Sequence, residues 1–421
     1  MSKHRVFPAS SAASRGRSRS HALSALLRMA CVAAPLALGA CASTGSTTPS
    51  ASVLPSLFDD ARFAASTEPI DSADVFRMTP DMEAYLKDQV LPTARARGMR
   101  AGLTDALYTR SKLQLEYEAS ITRNAAQAFE ARQGNCLSLV IMTGAFAKAM
   151  GLAVTFQEVT TDAMWSRTGD FYFMSGHVNL QLERAFVDTV GKYDRYSIYT
   201  IDFMPQPETL GLHVHPIGES TVLAMYMNNR AAEALVVGQL DNAYWRAREA
   251  LELDPMFLSA YNTLGVIYMR HGDSDDAEKV LRYATGAGPD NARVMANYAQ
   301  VLRTLHRDAE AEVVQARLDV LEPFPPFYWF NRGQAAMKAG DQRAAREFFK
   351  KELEREPDYH EFHYALAIAD VGLGRVDEAR SELALAMSDS VKRTDHDLYS
   401  AKLDKLKGFR HANLPPPSSV Q

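Results

Sequence analysis

A chain of 421 residues is too long for one ordinary hydrophobic core, and its 47% hydrophobic and 23% charged residues are the proportions of a soluble globular protein, so two domains with tails are expected. The formal net charge is −5, but residues 1–40 contain six basic side chains and no acid, and the remainder sets 40 basic against 51 acidic ones. That balance of −11 argues against nucleic acid as the partner, because phosphate binding needs a basic face. At the start, Lys3, Arg5, Arg15, Arg17, Arg19 and Arg28 precede an apolar stretch, residues 29–40, interrupted by Pro35. Such a stretch is too short to cross a bilayer core of roughly 30 Å, which takes about 20 helical residues. A basic start, a short apolar run and small residues at its end describe an export signal over 1–40.

The sequence Leu38-Gly39-Ala40-Cys41 closing this run resembles the bacterial lipobox, in which small residues fit the signal peptidase and the cysteine thiol receives the lipid. The resemblance implies lipidation of Cys41, and two or more acyl chains suffice for stable anchoring to a membrane. Position 42 is Ala rather than Asp, which in Gram-negative lipoproteins implies outer-membrane sorting; the expected location is the bacterial cell envelope, on the periplasmic face of the outer membrane. The alternative is an ordinary secretory signal with an incidental cysteine. Residues 41–52, rich in Ser and Thr, read as the lipidated cysteine and a flexible tether. Of three cysteines, Cys31 leaves with the signal and Cys41 is consumed by the anchor, so Cys136 alone remains a thiol. Exported proteins normally pair their cysteines. An unpaired one is either buried and inert or kept for its chemistry.

Residues 53–218 form the first domain. Thr79-Pro80-Asp81 starts a helix running to about Val90, with Pro92 just past its end; 104–113 and 121–131 are further helices, the latter opened by Thr122-Arg123-Asn124. Gly134-Asn135 breaks the third, and the run from Cys136 to Met150 is apolar on nearly every face, which marks a buried helix with Gly151 as its stop. Cys136 then sits at a helix amino end, where the dipole and unpaired N–H groups stabilise a thiolate and can receive an oxyanion. Strands follow at 153–159, 171–174, 177–182 and 185–190. A buried helix followed by consecutive antiparallel strands is an α+β layout.

The run Gly134-Asn135-Cys136-Leu137-Ser138, then Gly176-His177-Val178-Asn179-Leu180 on a strand and Phe186-Val187-Asp188 on the next, resembles the transglutaminase-like superfamily over about 123–190. The resemblance implies a papain-like fold and a Cys-His-Asp triad: Cys136 as nucleophile, His177 as base and Asp188 as the group that orients the imidazole. It implies acyl transfer, in which the thiolate attacks an amide carbonyl to give a thioester that water or an amine resolves. Hydrolysis is favoured, since water needs no dedicated site. No side chain is assigned to the oxyanion hole, and no cofactor is implied. Asp202, in Ile201-Asp202-Phe203, is a rival for the third position. His213-Val214-His215 puts two imidazoles on one strand face but lacks a Cys, Asp or Glu at metal-ligand spacing, so no metal is expected. Taken singly, Cys136 reads as an inert buried hydrophobe, His177 as structural and Asp188 as a turn residue.

Residues 219–390 are a repeat array. Pro255, Pro289, Pro323 and Pro357 are each 34 residues apart, and so are Ala243, Ala277, Ala311, Ala345 and Ala379. That period is the tetratricopeptide repeat's, a helix–turn–helix unit whose apolar face only its neighbours cover. Five repeats are expected, the third weaker because Ala299 replaces a Gly and Gln315 a large apolar residue. Such stacks hold peptides or extended segments of a partner; the alternative is a rigid prop. Residues 391–421, ending in Pro415-Pro416-Pro417, read as a C-terminal tail. Two functions remain open: an envelope-anchored cysteine amidohydrolase or transamidase whose repeats recruit a protein or peptide, and a non-catalytic assembly lipoprotein in which the cysteine domain is a degenerate clamp.

Overall fold

The computed structural model describes residues 52–108, 113, 115–118, 121–168, 171–183, 199–203, 213–390 and 393–412. The export signal, Cys41 and the strand expected at 185–190, with Asp188, lie outside them.

Thr79 caps the first helix by accepting the Met82 N–H at 3.3 Å. Helix α1 (Pro80–Tyr85) does not stop before Pro92. It passes through a π-helical turn, Leu86–Val90, into α2 (Leu91–Arg97). Proline has no N–H to give, and its ring crowds the carbonyl four residues back; the wider turn just before it accommodates both. Helix α3 (Met99–Tyr108) follows, then β1 (Glu116–Tyr117), which pairs in parallel with β2 (Gln133–Gly134). Between these strands lies α4 (Ala125–Ala131), opened by a reciprocal cap of Asn124 and Gln127 and closed by Arg132 at φ 54°. Helix α5 (Cys136–Ala149) is the centre of this part, with 12 of its 14 residues buried.

A four-stranded antiparallel sheet packs on α5: β3 (Val154–Thr168), β4 (Phe171–Leu182), β5 (Tyr199–Ile201) and β6 (His213–Ile217), in the order β5-β4-β3-β6. The two segments expected at 171–174 and 177–182 are one strand. The irregularity lies in the partner instead. Between the pairs Val159–His177 and Met164–Ser175, β3 advances five residues while β4 advances two. This bulge sits beside His177, where it re-aims the strand. Phe156 meets α5 at Gly144, and Leu180, paired with Phe156, shares its side of the sheet.

From Glu219 the chain is helical. Five pairs follow: α6 (Glu219–Val236) with α7 (Leu240–Leu253), α8 (Leu258–His271) with α9 (Ser274–Ala287), α10 (Ala292–Thr304) with α11 (Asp308–Leu321), α12 (Tyr328–Lys338) with α13 (Gln342–Leu353), and α14 (His360–Gly372) with α15 (Val376–Asp389). All five period-marking alanines are at most 1% exposed. Within a pair, a small residue on the first helix receives a large one from the second. A Cβ on Gly265 would lie 2.6 Å from the Leu281 side chain, and one on Gly333 would lie 2.3 Å from Phe349. The same register in the third pair joins Ala299 to Gln315, whose amide turns to Arg303 and Asp319 instead. Without a large apolar insert, the extra methyl of Ala299 fits, so the two departures compensate each other.

Two features differ from a uniform array followed by a tail. Helix α11 buries only Ala311, and Val313, Val320, Leu321 and Phe324 remain exposed; one hydrophobic core ends at Ala311 and a separate one begins at Phe327. Residues 391–421 include α16 (Arg393–Ala412), which packs on α15 through Leu403 and Leu406, while buried Tyr399 bonds His360 at 2.7 Å. The face of α15 that a sixth repeat would cover thus receives a single capping helix.

The first core runs unbroken from Leu54 to Ala311, so the α+β part and the first three helix pairs share one interior. Helix α6 meets α5 through the Lys148–Glu219 ion pair and the segment before α4 through Glu233, which accepts the Thr122 N–H at 2.7 Å. Residues 54–68 run along α7, α8 and α9, where repeat side chains hold their backbone. Tyr268 Oη accepts the Asp59 N–H at 2.9 Å and donates to the Leu57 carbonyl at 3.0 Å; Trp245 Nε1 donates to the Ala64 carbonyl at 2.7 Å; Asn242 Oδ1 accepts the Thr67 N–H at 2.9 Å. Phe63 is the apolar anchor of this segment, stacked on Tyr244 at 3.9 Å with an interplanar angle of 5°.

Candidate functional site

The site begins with the residues before the thiol. Asn135 caps α5, its Oδ1 accepting both the N–H and the hydroxyl of Ser138 at 2.9 and 2.8 Å, while its Nδ2 donates to Thr122 Oγ1 at 2.9 Å. Ser138 in turn accepts the Arg123 N–H at 2.8 Å. Gly134 permits this closeness, since a Cβ there would lie 2.7 Å from the Ser138 Cβ. The Gly-Asn-Cys-Leu-Ser run is therefore a device that presents Cys136 as the first residue of α5, buried but for 7% of its surface.

His177, 2% exposed, reaches this region from β4. Its Nε2 lies 2.6 Å from Asp202 Oδ1, so it carries the proton and donates. Asp202 follows β5, and extending the β4–β5 register by one pair sets it opposite Asn179, whose Nδ2 donates to Asp202 Oδ2 at 3.0 Å. Both carboxylate oxygens are thus held. Phe203 fixes the backbone there by packing on Tyr108 at 5.3 Å, and the Tyr108 hydroxyl is 2.6 Å from Thr143 Oγ1 on α5. The helix carrying the thiol and the turn carrying the acid are therefore joined by a packed chain of side chains.

Burial alone would lower the His177 pKa, but hydrogen bonds to Asp202 and Cys136, together with their charges, push it up from 6.5 to about 9. Nε2 is taken by Asp202, which leaves the buried Nδ1 as the nitrogen that faces the thiol. Tyr117, on β1 opposite Gly134, is 48% exposed; burial, followed by the charges of Cys136 and Glu118, pushes its pKa up to about 12.

Of the residues chosen from sequence, Cys136 and His177 come together; Asp188 and Cys41 lie outside the described residues, and the carboxylate that meets His177 is Asp202, the rival. Asn179, Ser138 and Thr122 stand in runs read from sequence but were given no role at the site. Ser138 was signalled by its place in a helix cap, and Asn179 by the rule that residues two apart on a strand share a side, which sets it beside His177. His215 of the His-Val-His pair is exposed on β6, and the side chain of His213 is outside the description. Among the described residues no group of three or more His, Cys, Asp or Glu side chains is placed to hold a metal ion, and no helix is long and apolar enough to cross a membrane.

Comparison with known proteins bears on the helical part. Models of the tetratricopeptide repeat match residues 228–292, 262–319 and 336–401, and the interval between 319 and 336 coincides with the break in the core. The chain is 30% identical over 118 residues to the type IV pilus assembly protein PilF of Pseudomonas aeruginosa, covering 28% of this chain and 47% of that one. It is 31% identical over 144 residues to protein FlbA of Caulobacter vibrioides, covering 34% and 24%. The chain therefore spans less than half the length of either relative. Among solved structures, Pseudomonas aeruginosa PilF aligns with 22% identity over 45% of this chain and 86% of that one, at a TM-score of 0.30. The part of the chain from α6 onward is a tetratricopeptide-repeat solenoid.

Proposed function

We propose that the protein is a lipoprotein anchored in the bacterial envelope through Cys41, on the periplasmic face of the outer membrane. Its α+β part acts as a transglutaminase-like thiol enzyme on amide bonds of a protein or peptide, and its repeats bind that protein. One observation carries the enzymatic reading: a buried imidazole is held by a carboxylate on one nitrogen and acted on by Cys136, the first residue of a buried helix. In this reading Cys136 is the nucleophile, His177 the base, and Asp202 the group that orients the ring. A pKa raised to about 9 suits His177 to accept the thiol proton when Cys136 attacks. The thiolate attacks the amide carbonyl, a C–S bond forms, and the imidazolium returns its proton to the leaving amine as the C–N bond breaks. Water, deprotonated by His177, then cleaves the thioester; hydrolysis is favoured over transfer to an amine because water needs no site of its own.

The test is alkylation of Cys136 by iodoacetamide at about pH 6, well below the pKa of a free thiol near 8.5, read by mass spectrometry of its peptide. Fast labelling is expected, and a rate at least tenfold lower in His177→Ala. Equal and slow labelling in both proteins would sink the enzymatic reading. The second reading, an assembly scaffold, would then stand; it is favoured by the similarity to a protein named for pilus assembly. The anchor is checked separately. Fatty-acid labelling of the protein in cells is expected to vanish in Cys41→Ala, and its persistence would refute the lipidation.

A further inference from the structure

The cap that presents Cys136 is itself held from the repeats. Thr122 and Arg123, just before α4, touch it twice: Thr122 Oγ1 accepts from the Asn135 amide at 2.9 Å, and the Arg123 N–H donates to Ser138 Oγ at 2.8 Å. On its other side, Thr122 gives its N–H to Oε1 of Glu233 on α6, the first repeat helix, at 2.7 Å. Thr122 is only 2% exposed, so this N–H depends on that carboxylate for a partner. Glu233 is fixed in turn. Its Oε2 accepts from Arg230 at 2.7 Å, and Arg230 lies 3.7 Å from Glu68 in the segment that runs along the repeats. A continuous line of hydrogen bonds therefore joins the first repeat to the residue before the thiol.

We infer that Glu233 is a positioning residue for Cys136, so that the first repeat helix completes the thiol site rather than merely adjoining it. The inference rests on the thiol-enzyme reading. Asn135 makes Cys136 the first residue of α5. The N–H groups of that first turn, and the helix dipole, favour a thiolate only while the turn stays wound. Without an acceptor on α6, the Thr122 N–H must find another oxygen, and the backbone that makes the search carries its hydroxyl away from Asn135. The Asn135 amide then loses its anchor, and the thiol loses its fixed place relative to both His177 and the helix end.

Iodoacetamide labelling of Cys136 in the full chain, followed across about pH 5–9, separates this role from a loss of packing. Glu233→Ala is expected to slow labelling at about pH 6 by roughly tenfold and to move the midpoint of the pH profile up towards the free-thiol value near 8.5. Glu233→Gln keeps an oxygen that accepts the Thr122 N–H and should recover the rate to within about threefold of wild type. Thr122→Val breaks the next link without touching α6 and should reproduce the slowing. Combined with Glu233→Ala it should add little, because the two act through one chain. Urea midpoints read by circular dichroism report the stability of the same proteins. An unmoved pH profile in Glu233→Ala, whatever its urea midpoint, or a Glu233→Gln as impaired as Glu233→Ala, overturns the assignment of Glu233. Should Glu233→Ala fail to fold, a wild-type profile in Thr122→Val overturns it equally. A wild-type Cys136 that labels slowly, and no faster than in His177→Ala, overturns the thiol-enzyme reading itself, and the positioning role falls with it.

Discussion

Asp202→Ala is expected to slow alkylation of Cys136 at about pH 6 by tenfold or more, and Asp188→Ala to leave it within about twofold of wild type. Burial works against a charged His177, and hydrogen bonds to Asp202 and Cys136 overcome it to bring the pKa to about 9. Removing Asp202 takes away the larger of these and leaves Nε2–H and the Asn179 amide facing a void. The imidazole then loses both its preference for the proton and its fixed orientation, so the thiol loses its base. The same change has a signature in stability. A histidine whose pKa rises from 6.5 unfolded to about 9 folded contributes stability fully present below about pH 6.5 and lost as pH rises through about 9. Thermal melts of the wild type should therefore fall across that window by more than those of Asp202→Ala. A slow Asp188→Ala beside a fast Asp202→Ala would return the third position to Asp188.

Phe63→Ala is expected to destabilise the α+β part and the first three helix pairs together by about 3–5 kcal/mol, the usual cost of emptying a buried aromatic site. Phe63 is 6% exposed and lies against Tyr244, Tyr268 and His271, with centroids at 3.9, 5.8 and 4.6 Å. Its loss removes the anchor of the segment that ties the first domain to the repeats. The effect should stop at α11, because the core beyond it is separate. Trp245 on α7 and Trp329 on α12 allow each side to be followed by fluorescence in variants retaining one of them. In urea, the Trp245 midpoint should fall while the Trp329 midpoint holds. A common shift of both would show that the helices unfold as one cooperative unit across the break.

The repeats were legible because their information is periodic. The alanine and proline spacing of 34 residues repeats, and each mark has a local cause in the approach of one helix to its partner. Even the weak third repeat was visible at Ala299 and Gln315, although their mutual compensation needed the register of α10 on α11. The thiol was legible for a similar reason. Gly134, Asn135 and Ser138 lie within five residues, and a helix cap is local chemistry.

The acid was not, and the reason is the same one reversed. From sequence, Asp188 and Asp202 both follow short apolar runs after His177, and nearness along the chain favours the first. Which carboxylate meets the imidazole depends on how β5 pairs with β4, a long-range register that no local pattern encodes. The union of the two domains in one core has a like origin. It rests on Phe63 and the backbone of residues 54–68 meeting side chains nearly 200 positions away, in a stretch with no periodicity. Sequence alone determined the period of the solenoid and the residue presented at the start of the buried helix, because both follow from contacts between near neighbours. Only the tertiary structure decided which acid holds His177, where the array breaks and what joins its two ends, because those follow from contacts between residues far apart in the chain.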